Sequence, residues 1–241
     1  MELEQEHKIL FQETYILFDI EYMDAFVMLR DRIPNFRNIS WNLSLETGAL
    51  KVVFSTGEQK HFNKVIRVFK KEFKDFILTL QNQSLEEAFF EELSQKKAKV
   101  SLAESVTGGL IASRIIDVSG ASNIIEKAYI CYSNEAKIQD IGVNLETIQK
   151  YGAVSLETAK EMCIKLSSKT NCDIAISTTG IAGPGGGTKN VVVGTVYFGL
   201  KVFNQIETIK MIFSGDRNSI RKQASAYALA KTIQLLRKYG G

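Results

Sequence analysis

Beyond about residue 98 the chain switches repeatedly between two hydrophobic periodicities, and that alternation narrows the fold to one class. AKVSLAE reads as a strand, GGLIASRIID as a helix, KAYICYS as a strand and LETAKEMCIKLSSK as a helix. CDIAISTT, VVVGTVYFGL and TIKMIFS then read as three strands before a long final helix from NSIRKQ onward. Strands that first alternate with helices and then run consecutively need a mixed sheet covered by helices. This part is therefore expected to be a three-layer α/β/α domain with a mixed sheet.

The part before it has a different character. ETYILFDI has strand composition, and EYMDAFVMLRDRI spaces Tyr22, Phe26, Leu29 and Ile33 as one helix face, ended by Pro34. ISWNLSLE alternates Ile39, Trp41, Leu43 and Leu45 as a half-buried strand, and ALKVVFS follows Gly48 as another. NKVIRVFKKEFKDFI carries Val65, Phe69, Phe73 and Phe76 on one side and lysines on the other. The expectation is a small α+β domain over residues 1–80 and the α/β domain over 81–241, the latter entered through a helix that starts with a capping box, Ser84 and Glu87. Fifteen of the seventeen glycines lie from Gly108 onward, which puts tight turns and close ligand approach in the second domain.

Composition excludes several classes. Thirty basic against 27 acidic residues leave a net charge of +3, too balanced to point to nucleic acid. The basic helix is read as an amphipathic core helix with solvated lysines, and it lacks a GxxG backbone clamp. No stretch is long and apolar enough for a membrane span, and ELEQEHKILFQ after Met1 is no signal peptide. Cys131, Cys163 and Cys172 are odd in number and form no CxxC, so neither a disulfide framework nor a cysteine metal site is expected, and the default location is the reducing cytoplasm. His7 and His61 are the only histidines, and neither sits in a motif, so a histidine triad or zinc site is not expected.

Three segments at predicted strand ends could carry chemistry. In AESVTGG, Ser105 and Thr107 precede a helix start near Gly108, where free amides suit a phosphate or an oxyanion, or where either hydroxyl simply caps the helix. CYSNEAK supplies Tyr132, Ser133, Asn134, Glu135 and Lys137. A desolvated lysine beside a serine has its charged form disfavoured and can act as general base, without a histidine. The glycine-rich run around Pro184, with Gly180 and Gly183, fits neither a Walker loop nor GxGxxG, and a long tight turn is its plain alternative.

Taken in order, AESVTGG, YSNEAK, YGAVS, TGIAGPGGG, VGTVYFG and GDR closely resemble the carboxy-terminal domain of the CinA (competence/damage-inducible) family, which includes the stand-alone nicotinamide mononucleotide (NMN) deamidases of the PncC type. The resemblance covers about residues 85–241, and residues 14–80 look like the KH-like domain that precedes it in full-length members. The family's amino-terminal molybdopterin-binding-like domain has no counterpart in these residues, and the pyrophosphatase activity linked with it is not expected. The resemblance implies Ser105 as nucleophile, Lys137 as its base, Tyr132 supporting the pair by a hydrogen bond, and no metal or cofactor. It also implies NMN as small-molecule substrate and self-association, a dimer first.

Amides near Gly108 and Gly109, or from the Thr179-Gly180 turn, are the expected oxyanion donors. Thr107, Asn134 and Gly183 are further candidates for substrate contact, and Arg217 and Arg221 for the phosphate, although Asp216 and those arginines also suit a plain capped helix start. The family's AESCTGG has Cys where this chain has Val106, a near-isostere that packing should accept. The competing reading is a non-catalytic nucleotide- or partner-binding protein linked to competence or DNA damage.

Overall fold

The computed structural model describes residues 11–36, 38–46, 49–79 and 82–240, so His7, Gly48 and the segment after Met1 lie outside the described residues. The chain forms two compact units that meet in sequence at Leu85 and Glu86, just past the expected boundary at 80 and 81.

In the first unit, β1 (Phe11–Leu17), α1 (Tyr22–Arg32), β2 (Ile39–Glu46), β3 (Ala49–Thr56) and α2 (Phe62–Glu72) follow one another. The sheet is antiparallel in the order β1-β3-β2. Its inward residues Tyr15, Val52 and Phe54 join Val65 and Phe69 of α2, and Phe73 just beyond it, in one core. The helix ends before Pro34, as the missing amide and fixed φ of proline require. Two details differ from the sequence pattern: α1 turns Ala25 and Leu29 inward and leaves Tyr22 exposed, and Leu45 near the end of β2 is 68% exposed.

The second unit comprises α3 (Leu85–Lys96), β4 (Val100–Glu104), α4 (Leu110–Ile116), β5 (Ile125–Ile130), α5 (Asn134–Ala136), α6 (Leu145–Tyr151), α7 (Leu156–Thr170), β6 (Ile174–Gly180), β7 (Thr195–Val202), β8 (Gln205–Ile212) and α8 (Arg217–Tyr239). The sheet order is β5-β4-β6-β7-β8. The pairs β4–β5 and β4–β6 are parallel, whereas β6–β7 and β7–β8 are antiparallel, so the sheet is mixed.

Period-two alternation assigns the two faces. Ala103 and Ala175 pack with Met162, Cys163 and Leu166 of α7, and Ser177 Oγ donates to the Ala159 carbonyl at 2.6 Å. The next residue in register, Phe198, faces the other way and meets the Tyr227 ring of α8 at 5.0 Å. α4 shares that second face with α8, tied by Arg114 donating to Ser225 Oγ at 3.0 Å. Gly199 lets α7 approach the sheet: a Cβ there would stand 2.4 Å from the Ala159 carbonyl oxygen.

β4 leaves toward β5 on one side, while β6 leaves toward β7 on the other, so the connections from their carboxyl ends diverge there. Sequence periodicity did not indicate α6, and it extended two strands too far. β5 stops at Ile130 because Cys131–Ser133 turn away, and β7 begins only at Thr195, leaving Val192 and Val193 in the loop.

Candidate active site

Ser105 follows the last residue of β4 and prolongs its pairing with β6 by donating its amide to the Thr178 carbonyl at 3.0 Å. Side chains alternate along a strand, so Glu104 points to the α4 face and Ser105 to the α7 face. There Lys137 meets it. Lys137 is not on a strand end: Ser133 caps α5 by accepting the Ala136 amide at 3.0 Å, and α5 runs on into a π-helical turn, Lys137–Ile141. The wide turn carries the side chain inward, where Lys137 is only 2% exposed.

Lys137 Nζ lies 3.0 Å from Ser105 Oγ and 3.0 Å from the carbonyl oxygen of Cys131. Among the described residues no carboxylate forms an ion pair with it. Burial therefore dominates its electrostatics and holds the lysine pKa below its ordinary value, with the neighbouring Cys131 opposing weakly. The Cys131 thiol is itself buried and pushed up to about 11, so it is a protonated packing group. The arrangement is an amine, poised toward its neutral form, in contact with a serine hydroxyl that is 7% exposed. Such a pair can transfer a proton and make the oxygen nucleophilic.

The turn after Ser105 departs from expectation. Neither Ser105 nor Thr107 caps α4. The cap position is Gly109, in the left-handed region at φ 90°, and the capping group is the carboxylate of Glu104. Its Oε2 accepts the amides of Gly109 at 2.9 Å and Ile111 at 3.1 Å, and its Oε1 that of Ala112 at 2.9 Å. The Gly108 amide donates to the Ser105 carbonyl at 3.1 Å. The amides of Gly108 and Gly109, expected as oxyanion donors, are therefore committed to acceptors within the protein. Thr107 is fully buried with its hydroxyl 2.8 Å from that of Thr178, which removes it from capping and from phosphate contact through the side chain.

Two arginines one helical turn apart reach the same loops from the first turns of α8. Asp216 does cap α8, accepting the Ser219 amide at 2.7 Å, but the arginines are not merely solvated. Arg221 donates to the Thr107 carbonyl at 2.8 Å, and Arg217 donates to the Gly183 carbonyl at 2.8 Å and to the Tyr132 hydroxyl at 2.6 Å. Neither has a carboxylate partner among the described residues. Tyr132 is thus joined to Arg217 and not to Ser105 or Lys137, and its ring is 60% exposed.

Gly183 has φ 77° and precedes Pro184 through a cis peptide. Gly180 is pressed against β7, where a Cβ would stand 2.6 Å from the Thr195 carbonyl oxygen. Thr179 donates its hydroxyl to the Ala153 carbonyl at 2.7 Å, and Asn134 is exposed at the start of α5.

Two groups at the site stand outside the expected residues. The Cys131 carbonyl carries no side-chain signal at all. Glu104 had one: an acidic residue closing a strand, at a position whose parity faces the following helix.

Among the described residues no helix is long and apolar enough to cross a membrane, and no group of three or more His, Cys, Asp or Glu could hold a metal ion. The three cysteines are free and buried.

Residues 82–236 match the CinA C-terminal domain. A putative competence-damage inducible protein of Caldicellulosiruptor saccharolyticus is 49% identical over 155 residues, 64% of this chain and 38% of that protein. A CinA-like protein of Fusobacterium nucleatum is 43% identical over 182 residues, 75% of this chain and 44% of that protein. The chain thus spans about two fifths of the length of these curated relatives, at 38% and 44%. The crystal structure of the competence/damage inducible protein CihA from Agrobacterium tumefaciens superposes with a TM-score of 0.61 at 34% identity, covering 63% of this chain and 93% of that one.

Proposed function

The chain belongs to the CinA C-terminal domain family, and from that premise we propose that its second unit is an amidohydrolase that deamidates NMN to nicotinate mononucleotide and ammonia. The observation that carries this reading is Lys137, buried with no counter-ion among the described residues and 3.0 Å from Ser105 Oγ. The neutral Lys137 amine takes the Ser105 proton as the oxygen attacks the carboxamide carbon. Collapse of the tetrahedral adduct expels ammonia, which leaves with the proton returned from the Lys137 ammonium. Water, deprotonated by the same amine, then hydrolyses the acyl-serine and restores the hydroxyl. The Cys131 carbonyl keeps Nζ directed at the serine throughout. Arg217 and Arg221, free of carboxylate partners among the described residues, supply the cationic donors that a phosphate monoester needs.

The direct test is ammonia release from NMN by the purified protein, with Ser105→Ala as control. Release by the wild type alone supports the proposal, and equal release by both overturns it. The second reading, a non-catalytic nucleotide-binding protein linked to competence or DNA damage, is favoured by Val106, a buried position where the family usually has cysteine. It predicts saturable NMN binding by the wild type with no ammonia produced.

A further inference from the structure

We infer that Glu104 is a positioning residue that assigns the amides around the nucleophile, leaving those of Val106 and Thr107 as the oxyanion donors; this rests on the serine–lysine reading above. Between Ser105 and Ala112 each amide can be accounted for. That of Ser105 goes to the Thr178 carbonyl, that of Gly108 to the Ser105 carbonyl and that of Leu110 to the Thr107 carbonyl. Those of Gly109, Ile111 and Ala112 go to the Glu104 carboxylate. Only the amides of Val106 and Thr107 donate to no acceptor among the described residues, although both residues are buried. They directly follow the nucleophile, which is where an acyl-transfer site needs donors for the charge that develops on the carbonyl oxygen.

The carboxylate is what makes this division stable. Glu104 is 1% exposed and makes no ion pair among the described residues, so its carboxylate is met by the three amides at the start of α4. Its own carbonyl accepts the Cys131 amide at 2.8 Å. One residue therefore joins the end of β4, the start of α4 and the loop whose Cys131 carbonyl holds Lys137. With the carboxylate in place, the helix end is closed to external anions. A substrate phosphate is left to the arginines and an oxyanion to the two amides beside Ser105. Without it, the three amides would be free to re-pair within the turn, drawing those of Val106 and Thr107 out of place.

The test is Glu104→Gln in the full chain, an isosteric change that puts an NH2 group against an amide that now faces an oxygen. A serine-directed fluorophosphonate serves as probe, because its phosphoryl oxygen needs the same donors and it does not require NMN to be the substrate. Ser105 oxygen bonds to phosphorus, fluoride leaves, and the serine proton passes to Lys137. Labelling of Ser105, followed by mass spectrometry, is expected to slow by about 10- to 100-fold in the variant. The pH midpoint of labelling, which reports Lys137, and binding of the product nicotinate mononucleotide should stay at wild-type values. Unchanged labelling in a folded Glu104→Gln protein overturns the inference and leaves the serine–lysine pair standing. A slowed reaction accompanied by a moved midpoint or lost product binding also overturns it, in favour of a general structural role. Absence of wild-type labelling overturns the serine–lysine reading, and this inference with it. Labelling that slows in the variant, with no ammonia released from NMN by the wild type, supports the inference and rejects NMN as substrate.

Discussion

Lys137 Nζ and Ser105 Oγ are 3.0 Å apart although 32 positions separate the two residues in sequence. The contact exists because β4 and β5 are parallel neighbours and the π-helical turn carries the lysine back over the end of β4.

Removing either member should abolish turnover of NMN. Lys137→Met keeps the length and apolar stem while deleting the amine, and Lys137→Arg keeps a cation that cannot act as a base near neutral pH. Both, and Ser105→Ala, are expected to lower kcat by about a thousandfold or more, with the fold retained. Ammonia release together with circular dichroism checks this, and substantial activity in Lys137→Arg would contradict the base role.

The pH dependence follows from burial. The lysine pKa is lowered in the folded protein, so activity rises as pH rises through that lowered value and the amine becomes neutral. The unfolded chain keeps the ordinary lysine value and so binds more protons in the interval between the two, which makes stability rise with pH across it. Below the folded pKa the penalty for burying the amine is fully present. Lys137→Met should lack this slope, and urea midpoints for both proteins from about pH 6 to about pH 10 measure it. Parallel curves would contradict the shift.

Arg217 and Arg221 are expected to act on binding. Loss of a charged hydrogen bond of about 1.5–3 kcal/mol raises KM by about 10- to 100-fold for Arg217→Ala, with a smaller change in kcat. With nicotinamide riboside, which lacks the phosphate, wild type and variant should differ little. An equal loss on both substrates would mean that Arg217 acts only by holding Tyr132 to the Gly183 loop.

Gly199→Ala tests the packing of α7. Its Cβ would stand 2.4 Å from the Ala159 carbonyl oxygen and 2.7 Å from Cys163 Cβ, so helix and sheet must separate. A loss of about 1–3 kcal/mol in urea unfolding is expected.

Val106→Cys restores the residue usual in the family at a buried position. If only volume matters there, kcat changes by less than about threefold. A larger gain in ammonia release would show that the thiol contributes chemistry.

Local sequence determined the elements and some of their ends. The two-residue and 3.6-residue periods marked the strands and most of the helices, proline ended α1, and Ser105, Tyr132, Lys137, Arg217 and Arg221 stood out by residue type within short motifs. Periods act within one element, so they say nothing about which strands become neighbours. Tertiary structure alone decided that β4 lies between β5 and β6, and hence that Ser105, the Cys131 carbonyl and Lys137 converge. It also decided the cap of α4. Serine and threonine next to a helix are strong local candidates, but strand parity turned Glu104 toward the helix end, and its carboxylate takes three amides at once. The Tyr132 hydroxyl went to Arg217 for a related reason: a guanidinium from a distant helix reaches it, a neighbour that no local pattern encodes.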